Sequence, residues 1–136
     1  MREIKFRAWD NLKKSMANVG GMHFDGVGIE QAYMEYNNTP INDWDWMPLD
    51  CIEVMQYTGL KDKNGKEIYE GDIITTPDVN GDPTSDKASV TFKEGSFVFA
   101  YSWKETFINW FWTHGYEIEV IGNIWQNPEL LGKGEK

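Results

Sequence analysis

The chain has 136 residues, with 13 Lys or Arg against 22 Asp or Glu, so its net charge is −9 at pH 7. That balance counts against direct nucleic-acid binding, because nucleic-acid binders neutralise phosphates with Lys and Arg. The single cysteine of the sequence, Cys51, excludes an intrachain disulfide, and no apolar run is long enough to span a bilayer. We expect one domain, residues 1–136, in the cytoplasm and without a signal peptide.

Aromatic residues and glycines are abundant. Seven Trp, six Tyr and seven Phe make up 15% of the chain, and 13 residues are Gly. Aromatic side chains favour strands, and glycine next to Asn or Asp favours turns. The composition therefore predicts a mainly β protein with little helix.

Alternating side chains predict strands in the N-terminal half. Residues 4–9 alternate, with Ile4 and Phe6 on one face and Lys5 and Arg7 on the other. Residues 19–28 contain too many glycines for a helix and predict a strand or hairpin, whereas residues 29–36 fit either a short helix or a strand. The prolines in residues 37–50 predict a loop, and residues 51–59 predict another strand.

Turn signals divide the C-terminal half into strands. Asn64-Gly65 predicts a type I′ turn, in which both residues take positive φ, and Gly71-Asp72 predicts a second tight turn. Strands are predicted at 72–76, 88–93, 96–101 and 117–125, and residues 105–113 fit a strand or a short helix. A tight turn, a hairpin and a closing strand in this order predict a small antiparallel SH3-like barrel, to which the N-terminal half adds further strands.

Three blocks of the sequence carry a family resemblance. They read MREIKFRAWD at the start, QYTGLKDKNGKEIYEGDII in the middle and IEVIGNIWQNPELL near the end. Blocks of this kind, in this order, resemble those of the YopX family of phage and prophage proteins. The resemblance implies a phage-borne gene expressed in the bacterial cytoplasm. It implies no particular activity and therefore assigns no catalytic residues.

The sequence offers no complete catalytic or metal-binding motif. A calcium loop beginning at Asp62 fails because Lys66 stands at its fifth position, so the acids there are better explained as turn residues. One cysteine with two distant histidines, His23 and His114, is too few ligands for zinc. Cys51 itself opens an apolar strand, as a small hydrophobic residue does. We therefore expect no catalytic, metal-binding or cofactor-binding residues.

Four tryptophans form the candidate interaction surface. Trp44 and Trp46 share one face if their segment is extended, and Trp110 and Trp112 share one face if theirs is a strand. Any one of them fits a place in the core, yet seven tryptophans are difficult to bury in one small domain. Because Trp is enriched where proteins bind each other, we expect some of the four to lie at a contact.

These observations predict a non-enzymatic accessory protein that binds a protein partner or itself, and we expect a homo-oligomer. The first alternative is an acidic inhibitor that imitates DNA and blocks a host DNA-acting enzyme; it requires the acids to line one face, whereas here they are scattered along the sequence. The other alternative is a small hydrolase, whose candidate residues are the neighbouring acids Asp43 and Asp45, or Cys51 paired with His23 or His114.

Overall fold

The computed structural model describes residues 3–36, 43–75, 87–101, 105–107 and 118–131, with the backbone only at 43–45 and 105–107. The chain divides into two compact units, Met1–Tyr57 and Thr58–Lys136. We call them the first and the second unit. In the described part of the chain the helices are two single 3₁₀ turns, and neither has the length or the apolar character that crossing a membrane requires.

The first unit is built on an antiparallel sheet in the order β4-β3-β2-β1-β5. A 3₁₀ turn at Leu49–Cys51 leads from β4 into β5. Strand β5 continues past Tyr57, so its last residues belong to the second unit. The strands are β1 (Phe6–Asp10), β2 (Ser15–Phe24), β3 (Ile29–Tyr36), β4 (Asp43–Pro48) and β5 (Ile52–Lys61).

One face of this sheet carries the core of the first unit. Along β3 the buried residues Ala32, Met34 and Tyr36 alternate with partly exposed ones, which is the period of a strand with one buried face. The core cluster comprises Ala8, Ala17, Ala32, Met34, Tyr36, Met47 and Ile52, with Val19, Cys51 and Val54 packed against it.

The second unit contains a five-stranded antiparallel sheet in the order β10-β9-β8-β7-β11, and β6 lies next to β5. Its core is aliphatic and aromatic, and consists of Ile68, Ile74, Ala88, Val90, Phe97, Phe99, Ile118 and Val120. A 3₁₀ turn at Pro128–Leu131 follows the last strand. The strands are β6 (Glu67–Tyr69), β7 (Asp72–Thr75), β8 (Lys87–Lys93), β9 (Ser96–Ala100), β10 (Glu105–Phe107) and β11 (Glu119–Asn123).

The sequence correctly predicted a mainly β protein with almost no helix. Strands β7, β8, β9 and β11 lie where strands were predicted, and residues 29–36 form strand β3. The ambiguous segment 105–113 is described only at 105–107, which are the residues of β10. The prediction of a single domain over residues 1–136 stays a prediction.

Three details differ from the predictions. The predicted loop at 37–50 contains strand β4, which pairs with β3 along its whole length; residues 37–42 lie outside the described part of the chain. At the predicted type I′ turn only Gly65 has positive φ, whereas Asn64 does not. In the described residues β10 and β11 end the second sheet on opposite sides, so no closed barrel is found and the SH3-like barrel is not confirmed.

Candidate interaction face of the first sheet

Asp10 in the first sequence block holds the β1–β2 turn together. The residue is fully buried, and its Oδ1 accepts hydrogen bonds from the backbone N–H groups of Leu12 (2.8 Å) and Lys13 (3.0 Å). The Tyr36 hydroxyl donates to Oδ2 at 2.5 Å. Burial by itself would raise the pKa of Asp10, but these hydrogen bonds and the nearby Lys13 charge lower it. The carboxylate therefore serves the fold.

Asp62 in the middle block plays a similar part in the second unit. Its Oδ1 accepts from the backbone N–H groups of Asn64 (2.8 Å) and Lys66 (2.9 Å), and its Oδ2 accepts from the N–H of Val120 in β11 (2.9 Å). The Lys63 N–H also donates to the Ile118 carbonyl at 2.9 Å. The turn is thus fastened to the last sequence block, and Asp62 has the role of a turn residue.

Two further buried polar residues of the blocks also support turns. Asp72 Oδ2 accepts from the Tyr69 N–H at 2.8 Å. The Oδ1 atom of Asn123 accepts from the N–H groups of Trp125 (3.0 Å) and Gln126 (2.8 Å). These four buried polar residues of the blocks therefore support the fold.

The candidate catalytic residues are not gathered into a site in the described residues. Cys51 packs against the core of the first unit. His23 is mostly exposed and its Nδ1 is hydrogen-bonded to Glu30. His114 lies outside the described part of the chain. Among the described side chains, no three His, Cys, Asp or Glu residues come together as metal ligands.

The face of β2, β3 and β4 that points away from the core is the best candidate for binding, and we call it the outer face. Cross-strand pairing places His23 beside Gln31, and Gln31 beside Pro48. In the next row Tyr33 stands between Gly21 and Trp46. Gln31 and Tyr33 alternate along β3 with the buried residues, so they lie on the side of the sheet opposite the core. The residues paired with them on β2 and β4 lie on that same side.

Trp46 is the dominant apolar group of the outer face. Its ring lies 5.2 Å from the Tyr33 ring, centre to centre and tilted by 46°, and the residue is 46% exposed. At Gly21 a Cβ would meet the Trp46 ring at 3.9 Å, which is an ordinary contact. At Gly20, by contrast, the Glu35 carboxylate occupies the space that a side chain would need, so the glycine lets Glu35 lie close to the sheet.

A shallow cavity opens beside this ring. It has a volume of about 400 Å³ and is lined by His23, Glu30, Gln31 and Trp46. His23 Nδ1 donates to Glu30 Oε1 at 2.6 Å, which fixes the carboxylate at the rim. The cavity is open to solvent, and it combines one aromatic wall with one carboxylate and one amide.

Exposed apolar residues continue at the hairpin end of β2 and β3. Phe24 is 61% exposed and Val27 is 96% exposed. The turn that presents them is closed by hydrogen bonds, because Asp25 Oδ1 accepts from the backbone N–H groups of Val27 (2.9 Å) and Gly28 (3.0 Å). These hydrogen bonds lower the pKa of Asp25. The hairpin thus exposes apolar side chains beside a hydrogen-bonded turn.

The charge of this region is one-sided. From residue 15 to residue 60 the sequence contains no Lys or Arg, but it contains seven acids: Asp25, Glu30, Glu35, Asp43, Asp45, Asp50 and Glu53. This segment includes all of β2, β3 and β4. The outer face is therefore built from strands that supply negative charge and no permanent positive charge.

Of the four predicted site tryptophans, the structure describes one with its side chain and one with its backbone only. Trp46 lies half exposed on the outer face, and Trp44 pairs with Glu35 in the β3–β4 ladder, where its backbone is described. Trp110 and Trp112 lie outside the described residues. Sequence reasoning did not place His23, Glu30 and Gln31 at this face, because Gln31 required residues 29–36 to be a strand and Glu30 meets His23 where the β2–β3 register is irregular. The absence of Lys and Arg from residues 15–60 is visible in the sequence and would have indicated this acidic region.

Comparison with known proteins shows which family the chain belongs to. A model of the YopX protein family matches residues 5–132. The chain belongs to the YopX family. Protein EF1440 from Enterococcus faecalis has a similar crystal structure, with 28% identity and a TM-score of 0.65 over 96% of this chain and 99% of that one. The crystal structure of YopX from Bacillus subtilis is similar in fold, with 24% identity and a TM-score of 0.64 over 93% and 96% of the two chains. No curated protein matches this YopX-family sequence.

Proposed function

We propose that this chain is a non-enzymatic interaction module that binds a protein partner through the outer face of its first unit. The observation that carries the proposal is Trp46, which lies in tilted contact with the Tyr33 ring and yet is 46% exposed. Large aromatic side chains at a surface are characteristic of protein contacts, where Trp and Tyr contribute disproportionately to affinity. The exposed Phe24 and Val27 on the same hairpin extend the apolar area available to a partner.

The biological setting of this proposal is a phage or prophage accessory protein in the cytoplasm of a bacterial host. Membership of the YopX family supports this setting through the resemblance described above. For the second unit we propose the SH3-like barrel, supported by the tight turn into β7, the β8–β9 hairpin and the strand β11 that follows them.

An acidic DNA mimic is the second candidate function. It is favoured by one observation, the run of seven acids without Lys or Arg between residues 15 and 60. A mimic binds the DNA site of its target enzyme through negative charge, so duplex DNA competes with it and salt weakens it strongly. An aromatic docking surface depends instead on Trp46. For the small hydrolase no described contact argues in favour.

Affinity capture from host-cell lysate tests the proposal with three forms of the chain: wild type, Trp46→Ala and Phe92→Ala. Phe92 is 48% exposed and belongs to the second unit, so it is a matched control for the loss of an exposed aromatic. We expect wild type and Phe92→Ala to retain the same partner, and Trp46→Ala to lose it while keeping its circular dichroism spectrum. Equal capture by all three forms would overturn the proposal. Release of the partner by duplex DNA would favour the mimic.

A further inference from the structure

We infer that the cavity beside Trp46 receives an arginine side chain from a basic segment of the partner. This inference rests on the proposed function and names the chemistry of the partner. The cavity is lined by Trp46, Glu30, Gln31 and His23, and we take the Trp46 ring, the Glu30 carboxylate and the Gln31 amide as the receiving groups.

The aromatic wall suits a planar cation. A guanidinium lying over a Trp face is attracted by the ring quadrupole, and its flat shape stacks better than an ammonium. The chain already pairs cations with rings elsewhere in the first unit, where Lys13 Nζ lies 4.0 Å from the centre of the Tyr36 ring. The Trp46 ring lies in tilted contact with Tyr33, and the residue remains 46% exposed to a partner.

The polar wall suits a donor-rich cation. Glu30 Oε1 accepts from His23, and no described residue donates to Glu30 Oε2. The Glu30 side chain is 49% exposed, so an incoming group reaches this oxygen from solvent. A guanidinium carries five N–H donors in one plane, which suits a carboxylate next to an amide oxygen. His23 thus positions the carboxylate and leaves one oxygen for the ligand.

The negative charge around the cavity favours a basic partner over an acidic protein or a nucleic acid. The strands behind the cavity lie in the segment without Lys or Arg, so no permanent cation of that segment competes for Glu30. A phosphate brought to the cavity by a base stacked on Trp46 would be repelled by the Glu30 carboxylate. The cavity volume of about 400 Å³ is at the lower end of the range for ligand pockets, about 300–1,000 Å³, and admits one long side chain.

Defined peptides test the inference on the full chain. The probes are a fluorescent octapeptide of alternating Gly and Arg, its Gly-Gln counterpart, and a single-stranded oligonucleotide, each measured by anisotropy at physiological salt. The variants are Glu30→Gln and Trp46→Leu. The control is Glu129→Gln, which removes the same charge from an exposed residue of the second unit.

We expect the Gly-Arg peptide to bind wild type at least tenfold more tightly than the Gly-Gln peptide. Glu30→Gln and Trp46→Leu should each weaken the Gly-Arg peptide by about tenfold, a loss typical of a partly desolvated cation–π or ionic contact. Glu129→Gln should stay within about twofold of wild type, because Glu129 is an exposed charge that does not line the cavity. Thermal melts of the variants show that the fold is retained.

Three results would overturn the inference: equal weakening by Glu30→Gln and Glu129→Gln, an unchanged affinity in Trp46→Leu, or tighter binding of the oligonucleotide than of the Gly-Arg peptide. The two proposals fail separately. If lysate capture depends on Trp46 but neither substitution weakens binding of the Gly-Arg peptide, the interaction module is supported and the arginine site is wrong. If both substitutions weaken peptide binding but capture does not depend on Trp46, the cavity binds arginine and the proposed interaction module is wrong.

Discussion

At the scale of single residues, Asp62 joins two distant parts of the second unit. It accepts three backbone hydrogen bonds, two from its own turn and one from Val120, which is 58 residues further along the chain. Asn at this position keeps an oxygen for the turn but turns an N–H group towards the Val120 N–H. We expect Asp62→Asn to lower the free energy of unfolding by about 1–3 kcal/mol, the cost of leaving a buried donor without its acceptor.

The charge of Asp62 also makes stability depend on pH. Burial by itself would raise its pKa, but the three backbone donors and the nearby Lys66 charge bring it below its ordinary value of 3.8. A carboxyl with a lowered folded-state pKa stabilises the fold above the unfolded value, and this contribution is lost as the pH falls through the folded value. Wild-type stability should therefore decrease below about pH 4 more steeply than that of Asp62→Asn.

Urea unfolding between about pH 2 and pH 6 measures both effects. Asp25→Asn is the control, because Asp25 accepts two backbone hydrogen bonds in an exposed turn rather than at a buried junction. It should lose less stability than Asp62→Asn. Acid limbs of equal slope in wild type and Asp62→Asn would show that the Asp62 charge does not contribute.

At the scale of elements, the hairpin turns show how local sequence signals are modified by their surroundings. Asn64-Gly65 was predicted to form a type I′ turn, but the Asp62 carboxylate binds the N–H groups of Asn64 and Lys66 and produces a three-residue loop with a bulge at Gly65. The type I′ geometry occurs at Glu94-Gly95, where both residues have positive φ, 53° and 84°. The dipeptide predicted the place of the turn but not its type.

Gly65→Val tests this turn. Gly65 has a φ of +83°, and a Cβ there would meet nothing within 4 Å, so the cost comes from backbone strain and not from a clash. We expect a loss of about 1 kcal/mol or more in the free energy of unfolding, since a β-branched residue is strongly disfavoured at this φ. The measurement is the denaturant midpoint.

Gly28→Val is the matched control for this substitution. Gly28 has equally open surroundings, but its backbone lies outside the left-handed region. It should therefore change the midpoint much less. If both substitutions had the same effect, the strain explanation for Gly65 would be wrong.

The candidate site was only half predictable, for a related physical reason. Pro48 suggested a loop, but as the last residue of β4, a strand at the end of the sheet order, it does not interrupt the pairing with β3. Trp46 was identified from its residue type, whereas Gln31 required knowledge that residues 29–36 form a strand. Glu30 follows Ile29 at an irregularity in the β2–β3 register, and no pattern in the sequence predicts that irregularity.

At the scale of the whole molecule, charge is distributed unevenly along the chain. All 13 Lys and Arg lie before residue 15 or after residue 60. The acidic segment between them forms β2, β3 and β4, of which β4 ends the sheet order and has no second neighbour among the described strands. An uncovered strand edge pairs readily with another chain unless charge, proline or a partner prevents it. The open edge of β4 therefore favours self-association, whereas the negative charge of the segment opposes it.

We expect the chain to form a homo-oligomer with Trp110 or Trp112 at or near the contact. Net charge opposes association, but repulsion between exposed charges is screened beyond about 10 Å at ordinary salt. An aromatic contact should persist at about 1 M salt, whereas a contact held by ion pairs should dissociate there. Sedimentation at micromolar concentration should give a mass above the 15.8 kDa of one chain, at low and at high salt.

The double substitution Trp110→Ser, Trp112→Ser should return the mass to that of one chain while the circular dichroism spectrum stays that of a β protein. Trp46→Ala is the informative comparison, because the outer face is proposed to bind a different partner and its loss should leave the oligomer intact. If Trp46→Ala dissociates the oligomer, the outer face is itself the contact between copies. A wild-type chain that sediments as a monomer at every concentration and salt would contradict self-association altogether.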